Sequence, residues 1–214
     1  MGVKMIKLVV LGAPGAGKGT QAVRLSERLR IPHISTGDML RENMKEGTEL
    51  GLAIAQTMDG GGLVPDEIVI ELVEARLMEE DCQHGYILDG FPRTLYQADV
   101  LSENADVTKA VAVEVPDELI IGRVAGRLVC PNCAAMYNLD SRPPQAAGVC
   151  DKCETRLVRR ADDEPAAVAN RLLLYHQQAE PILRYYQNQD LLLRVDGTKD
   201  MDVVTTEILQ GLGL

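Results

Sequence analysis

Between Lys7 and Thr20 the chain reads KLVVLGAPGAGKGT, and this stretch limits the possible folds more than any other. Leu8-Val9-Val10-Leu11 is an apolar run too short for most helices and rich in β-branched residues, the pattern of a buried strand. Glycines follow at Gly12, Gly15, Gly17 and Gly19, with Lys18 among them, and Thr20-Gln21-Ala22-Val23-Arg24-Leu25 begins a helical pattern. Strand, glycine-rich turn and helix form the context of a phosphate-binding loop. Glycines let successive backbone N–H groups converge on phosphate oxygens, because no Cβ holds the ligand away. The helix N-terminus adds partial positive charge, and Lys18 a mobile full charge. The plainer alternative is a glycine-rich turn without a ligand; residue types, spacing and flanks together weigh against it.

The spacing Gly12-x4-Gly17-Lys18 fits the general loop, with one departure. The general motif has Ser or Thr after the lysine, with its hydroxyl on Mg²⁺. Here Gly19 occupies that position and the hydroxyl comes one residue later, at Thr20.

At 214 residues and 46% apolar, the chain can bury one sizeable core with insertions. No apolar stretch approaches membrane-spanning length. The start MGVKMIKLVV runs into the phosphate loop and does not read as a signal peptide. Met1-Gly2 lacks the downstream Ser/Thr of a myristoylation signal, Ile6 standing there, so a cytoplasmic location is expected. A net charge of −10 argues against a general nucleic-acid binder. It also requires that arginines be concentrated in one cleft if the ligands are anions.

Four further apolar runs follow: Ile31 to Thr36, Tyr86 to Asp89, Ala110 to Val115 and Leu191 to Asp196. Continuous apolar strands alternating with helices imply an α/β fold, a five-stranded parallel sheet with helices on both faces. Ligands of such sheets bind at the carboxyl ends of the strands, where Gly12, Thr36, Asp89-Gly90 and Asp196-Gly197 fall. Thr36 or Asp38 is the expected cap of a helix beginning there. Met39 to Glu46 and Glu49 to Met58 read as two short helices closed by Gly60-Gly61-Gly62. They form either a small mobile insertion or an ordinary helical hairpin. Pro65-Asp66-Glu67 starts a longer helix reaching Met78. Between Arg127 and Asp163 periodicity disappears and prolines and four cysteines appear, the mark of a second inserted module. Glu164-Pro165 restarts a helix towards Tyr186, with a break expected near Pro181.

Asp89, a carboxylate at the end of a buried strand beside the phosphate loop, is placed to hold Mg²⁺ or its waters. A strand-end turn aspartate is the plainer reading. The segment Asp89-Gly90-Phe91-Pro92-Arg93-Thr94, with Gln97 downstream, carries a resemblance. GAPGAGKGTQA, STGDMLR, LDGFPRT-x-x-Q and VDGTK, in this order, resemble the adenylate kinase family along essentially the whole chain. Gly19 fits this family's own version of the loop.

The resemblance implies a P-loop nucleoside monophosphate kinase fold with two mobile insertions. Residues 35–64 would lie over AMP and 126–163 would be a lid over ATP, with a core of 1–34, 65–125 and 164–214. It implies reversible transfer of the terminal phosphoryl of Mg-ATP to AMP, giving two ADP. It places ATP at Gly15, Ala16, Gly17, Lys18, Gly19, Thr20, Arg123, Arg127, Met136, Tyr137 and Lys199. AMP falls at Thr36, Arg41, Gly62, Leu63, Val64, Gly90, Phe91, Pro92, Arg93 and Gln97, with Arg160 and Arg171 closing on the transferring group. Lys18, Asp89, Arg93, Arg127, Arg160 and Arg171 would carry catalysis. A cis bond at Phe91-Pro92 and a monomer are implied as well. The residues suit this chemistry on their own terms. The acceptor is a phosphate oxygen already anionic at neutral pH, so no general base is needed. The obstacle is repulsion between polyanions, which arginine's bidentate, permanently charged group offsets.

Cys130-Pro-Asn-Cys133, sixteen residues, then Cys150-Asp-Lys-Cys153 matches the spacing of a four-thiolate zinc site. Four thiolates close the coordination sphere, so the zinc would be structural and would hold a flap with little core of its own. Disulfides or a redox pair are the alternatives, and iron or cobalt could stand in for zinc. Cys82 is left over, near a helix end, and reads as packed.

Two further functions stay open. One is a kinase for another nucleoside monophosphate, or one that uses GTP. The other is a zinc-ribbon nucleic-acid-binding ATPase, which the acidic charge, the lack of Trp and the single Phe disfavour. An adaptor protein would not need Lys18, Arg41, Asp89 and Arg93 together.

Overall fold

A computed structural model of the chain describes residues 5–214; the expectations about Met1 and Gly2 lie outside the described residues. In chain order the elements are β1 (Ile6–Leu11), α1 (Lys18–Leu29), β2 (His33–Ser35), α2 (Thr36–Glu46), α3 (Glu49–Asp59) and α4 (Asp66–Leu77). They continue with β3 (Gly85–Asp89), α5 (Leu95–Asn104), β4 (Lys109–Glu114), α6 (Asp117–Ala125), β5 (Arg127–Val129) and β6 (Met136–Asn138). The chain ends with α7 (Pro165–Asn188), β7 (Leu192–Asp196) and α8 (Met201–Gly211).

The five apolar runs form one parallel sheet in the order β2-β3-β1-β4-β7. Strand alternation explains why these runs are continuously apolar. Val9 pairs with Leu88 and Ala110, and all three point into one core together with Val73 of α4, Leu101 of α5 and Tyr186 of α7. Val10 pairs with Val111, and both point to the other face, against Leu25 of α1, Ile120 of α6 and Ile208 of α8. Both faces are dry, so neither set of side chains can be polar. Ser35 pairs with Asp89, Asp89 with Val10, and Glu114 with Asp196, which brings the carboxyl ends of the strands to one edge.

Local details differ from expectation at four points. The cap of α2 is Ser35, whose Oγ accepts from the Asp38 N–H at 3.3 Å, and not Thr36 or Asp38. Helix α4 ends at Leu77, one residue before Met78, which is exposed. Helix α7 runs unbroken through Pro181. Interior proline costs a helix about 3 kcal/mol, but Ile182, Leu183 and Tyr186 are buried in the core just beyond it and hold the second half in line. The aperiodic four-cysteine segment contains the antiparallel pair β5–β6, registered Arg127↔Asn138 and Val129↔Met136. Its core is small, with Cys130, Tyr137, Cys150 and Leu157 as the buried members. The Phe91-Pro92 bond is cis, as the resemblance implied. No helix among the described residues is long and apolar enough to cross a membrane.

Candidate active site

A cleft of about 510 Å³ opens at the carboxyl edge of the sheet. The loop after β1 forms its floor. Gly12 has φ +144°, and a Cβ there would stand 2.5 Å from the carbonyl of Val113, so only glycine lets the loop leave the sheet at this point. Helix α1 has no side-chain cap and no acid in its first turn, and its first residues, Lys18 to Gln21, line the cleft. Its N-terminal amides therefore face the cleft as an anion site. Gly19 explains the departure from the general loop. A Cβ at this position would lie 3.1 Å from Oδ2 of Asp89 and 2.8 Å from Cε of Met136, so a Ser or Thr would crowd the carboxylate.

Lys18 stands at the centre. Its Nζ donates to the carbonyl of Ala13 at 2.8 Å. Burial lowers its pKa to about 7; Asp89 works against this, while Arg93, Arg171 and Arg127 reinforce it. Asp89 ends β3 with its Oδ2 3.3 Å from Nε2 of His33. Arg93 donates from Nε to the carbonyl of Gly90 at 2.8 Å, and burial, opposed by Asp89, holds its guanidinium below its ordinary pKa.

Four more arginines converge from distant parts of the chain, each beside an aspartate. Arg41 donates to Asp38 at 2.6 Å. Arg160 lies 3.4 Å from the same Asp38 oxygen. Arg171 donates to Asp162 at 2.7 Å. Arg127 donates from Nε to Asp163 at 2.7 Å and makes a second bond to its other oxygen. Burial pushes Arg160 and Arg171 down to about 10, with like-charged arginines contributing. At Arg127 burial also opposes the charge, but the hydrogen bonds and charge of Asp163 outweigh it and raise the pKa. Among the described residues, Nε of Arg160 is buried without a hydrogen-bond partner. Lys18 and five arginines, Arg41, Arg93, Arg127, Arg160 and Arg171, face four carboxylates, Asp38, Asp89, Asp162 and Asp163, so basic groups outnumber acids here in a protein of net charge −10. A multiply charged anion would satisfy this arrangement.

The remaining expected residues divide by place. Gly15, Ala16, Gly17, Thr20, Arg123, Met136, Tyr137, Lys199, Gly62, Leu63, Gly90 and Pro92 line the cleft. Arg123 is tied down, donating to the carbonyls of Gly197 at 2.8 Å and Ala16 at 3.3 Å. Lys199 pairs with Glu207 at 2.6 Å. Thr36, Val64 and Gln97 line a side pocket of about 20 Å³ that shares Arg93 with the cleft. Phe91 lines neither; it is buried in the core beneath them. Sequence reasoning missed Asp38, Asp162 and Asp163 as partners of the arginines, and Asp66 as a wall of the side pocket. A single aspartate carries no spacing signal, so only the fold reveals these contacts.

The four expected thiols form a second centre. Cys130 and Cys153 have Sγ atoms 3.4 Å apart, Cys133 and Cys150 3.5 Å, and all four lie within 4.8 Å of one another. A disulfide would hold sulfurs about 2.05 Å apart, whereas a zinc tetrahedron with bonds of about 2.3 Å holds them about 3.8 Å apart. The separations fit the metal. Thr155 holds Cys153 down to about 5, and the Tyr137 hydroxyl lowers Cys150.

A family model described as "Adenylate kinase" matches residues 10–191. Among curated relatives, the adenylate kinase of Caldicellulosiruptor saccharolyticus is 49% identical over 98% of this chain and 100% of its own length. That of Caldicellulosiruptor bescii is 50% identical over the same shares. That of Methanosarcina barkeri is 50% identical over 95% of this chain and 96% of its own.

Proposed function

This chain belongs to the adenylate kinase family, and from that premise we propose how its residues carry out the family's reaction. The chain is an ATP:AMP phosphotransferase, moving the terminal phosphoryl group of ATP to AMP and back, with two ADP as product. One observation carries the assignment of residues: Lys18 and five arginines from separate elements surround a single cleft over the uncapped N-terminus of α1.

The amides of Gly15 to Thr20 and Lys18 hold the ATP phosphates. Arg41 and Arg93 hold the AMP phosphate, and Gln97 reads its base from the side pocket. Arg127, Arg160 and Arg171 exchange their aspartate partners for the transferring group. An AMP phosphate oxygen forms the new P–O bond as the bond to the ADP leaving oxygen breaks. No proton need move, because the acceptor oxygen is already anionic. The cations act by drawing two polyanions together and by stabilising charge on the transferring oxygens. Their partial burial supports this: charges held in a partly desolvated cleft act more strongly than in bulk water.

Adenylate kinases use Mg²⁺ with ATP. Asp89, at the end of β3 on the cleft wall, would supply the hard oxygen donor such an ion takes, and the ion would neutralise phosphate charge. The four thiols would hold a structural zinc remote from the chemistry. We take residues 35–64 as the lobe over AMP and 126–163 as the lid over ATP, closing on a core of 1–34, 65–125 and 164–214. Closure excludes water, which competes with AMP as acceptor. A reduced, metal-bound thiol set suits a reducing compartment, and we place the chain in the cytoplasm as a monomer.

The test is phosphoryl transfer by the purified protein, with Mg-ATP and Mg-GTP as donors and AMP, GMP, CMP and UMP as acceptors. Transfer from ATP to AMP, with the other acceptors poor, supports Gln97 as base reader. Comparable transfer to GMP or a pyrimidine nucleotide would overturn that role.

A further inference from the structure

Two hydrogen bonds of opposite polarity fix the side-chain amide of Gln97. Its Oε1 accepts from the backbone N–H of Arg93 at 2.7 Å, and its Nε2 donates to Oδ1 of Asp66 at 2.8 Å. The first partner can only donate, and the second, as a carboxylate, can only accept. Turning the amide over would set N–H against N–H and oxygen against carboxylate, losing both bonds and adding two repulsions.

Asp66 is itself held in place. Its Oδ2 accepts from the Thr94 hydroxyl at 2.7 Å, and Thr94 caps α5 by accepting from the N–H of Gln97 at 3.2 Å. The starts of α4 and α5 are thereby clamped around an amide that is only 2% exposed. Asp66, Arg93 and Gln97 all line the side pocket.

We propose that Asp66 is a positioning residue that sets base specificity: by fixing the orientation of the Gln97 amide, it selects adenine over guanine in the acceptor. This rests on Gln97 being the base reader. With one Nε2 hydrogen on Asp66 and one Oε1 lone pair on Arg93, the amide keeps one N–H and one lone pair for a ligand. Adenine presents a 6-amino donor beside the N1 acceptor. Guanine presents the reverse, an O6 acceptor beside an N1–H donor. A fixed amide matches one order, and only a freely turning amide can match both. A buried polar group left facing its own kind is what makes such discrimination large.

The test compares kcat/KM for AMP and GMP, at saturating Mg-ATP, in the wild type and in Asp66→Ala, Asp66→Val, Glu67→Gln and Gln97→Ala, with a thermal melt of each. In Asp66→Ala the AMP-over-GMP ratio is expected to fall about tenfold or more, through a higher KM for AMP, with the KM for ATP unchanged. Loss of structure alone would lower kcat for both acceptors and leave the ratio. If Asp66→Ala does not fold, Asp66→Val carries the test, because it fills the space and offers Nε2 of Gln97 no acceptor. Glu67→Gln alters charge at the same helix start without touching Gln97, and its ratio is expected to stay at the wild-type value. A wild-type ratio in the folded Asp66 variant, or an equal fall in Glu67→Gln, overturns the proposal. If Gln97→Ala also keeps the wild-type ratio, the base-reading role has failed; if it alone loses the ratio, only the role of Asp66 has.

Discussion

Nη2 of Arg160 lies 3.4 Å from Oδ1 of Asp38, and the same oxygen takes Nη2 of Arg41 at 2.6 Å. One carboxylate in the first turn of α2 thus links the end of the four-cysteine segment to the helical pair α2–α3, across the cleft the nucleotides would enter. Each arginine is held where a phosphate would find it, by a group that a phosphate would displace.

Asp38 should therefore stabilise the ligand-free protein in a pH-dependent way. Burial tends to raise its pKa, but the charge and hydrogen bond of Arg41, the charge of Arg160 and the Ser35 hydroxyl outweigh it and hold it below the ordinary range. A depressed carboxyl contributes stability above its unfolded pKa, and that stability is lost as pH falls through the folded value. Asp38→Asn should lower stability at pH 7 by no more than about 1 kcal/mol, since the side chain is partly solvated. The difference should shrink as pH drops below about 4. Thermal unfolding of both proteins across this range checks it; an undiminished difference in acid would contradict the pairing.

Arg93 should trade stability for turnover. It is partly buried, near Lys18 and Arg41, and desolvation disfavours its charge. Arg93→Met should cut kcat/KM for AMP by about 10²–10³-fold, the usual loss of a charge-stabilising donor. The ligand-free melting temperature should hold or rise, because a poorly compensated buried charge is gone. Steady-state kinetics beside calorimetry test both halves, and a folded variant with near-normal turnover would remove Arg93 from the phosphate clamp.

Lys18 should take up a proton when nucleotide binds. Its pKa is about 7, lowered chiefly by burial. The free lysine therefore carries its proton only in part at neutral pH, whereas ATP phosphates would favour the charged form. Titration calorimetry in buffers of different ionisation enthalpy should show net uptake growing from pH 6 to pH 8. In Lys18→Met this uptake should disappear, together with most of the activity. The same shift makes the empty protein more stable as pH rises from about 7, because the unfavourable buried charge is then absent.

The sheet was legible in the sequence because its inner strands β1, β3 and β4 are buried on both faces and read as apolar runs, while the edge strand β7 keeps that pattern around the exposed Arg194. The phosphate loop was legible because its chemistry fixes residue types at fixed spacing. Strands β5 and β6 were not, since three-residue strands around sulfur ligands need no apolar alternation. Pro181 misled because a local rule ignores Ile182 and Tyr186, whose burial outweighs it. Asp38, Asp66, Asp162 and Asp163 went unread as site residues for a different reason. Asp66 acts on Gln97 and Asp163 on Arg127 across long stretches of chain, and Asp38, besides its helical neighbour Arg41, meets Arg160 from a distant segment; a carboxylate alone in a sequence does not announce such a partner.

Metal removal should loosen the four-cysteine segment while sparing the rest. That segment has Cys130, Tyr137, Cys150 and Leu157 as its buried core, too little apolar surface to hold a fold alone. The main cores on either side of the sheet share no residue with it. Cys150→Ser should therefore release the metal and lower the melting temperature by several degrees, with the far-ultraviolet circular dichroism of the helices retained. Cys150 is the residue to change because it is buried and meets the Tyr137 hydroxyl at 3.5 Å, so its loss also disturbs the packing beneath β6. Elemental analysis of the purified protein and variant, beside the melts, reads out both effects. A strong chelator added to the wild type should reproduce the fall, and returning zinc should reverse it in the wild type alone. Unchanged metal content in the variant would mean that the four thiols are not the site.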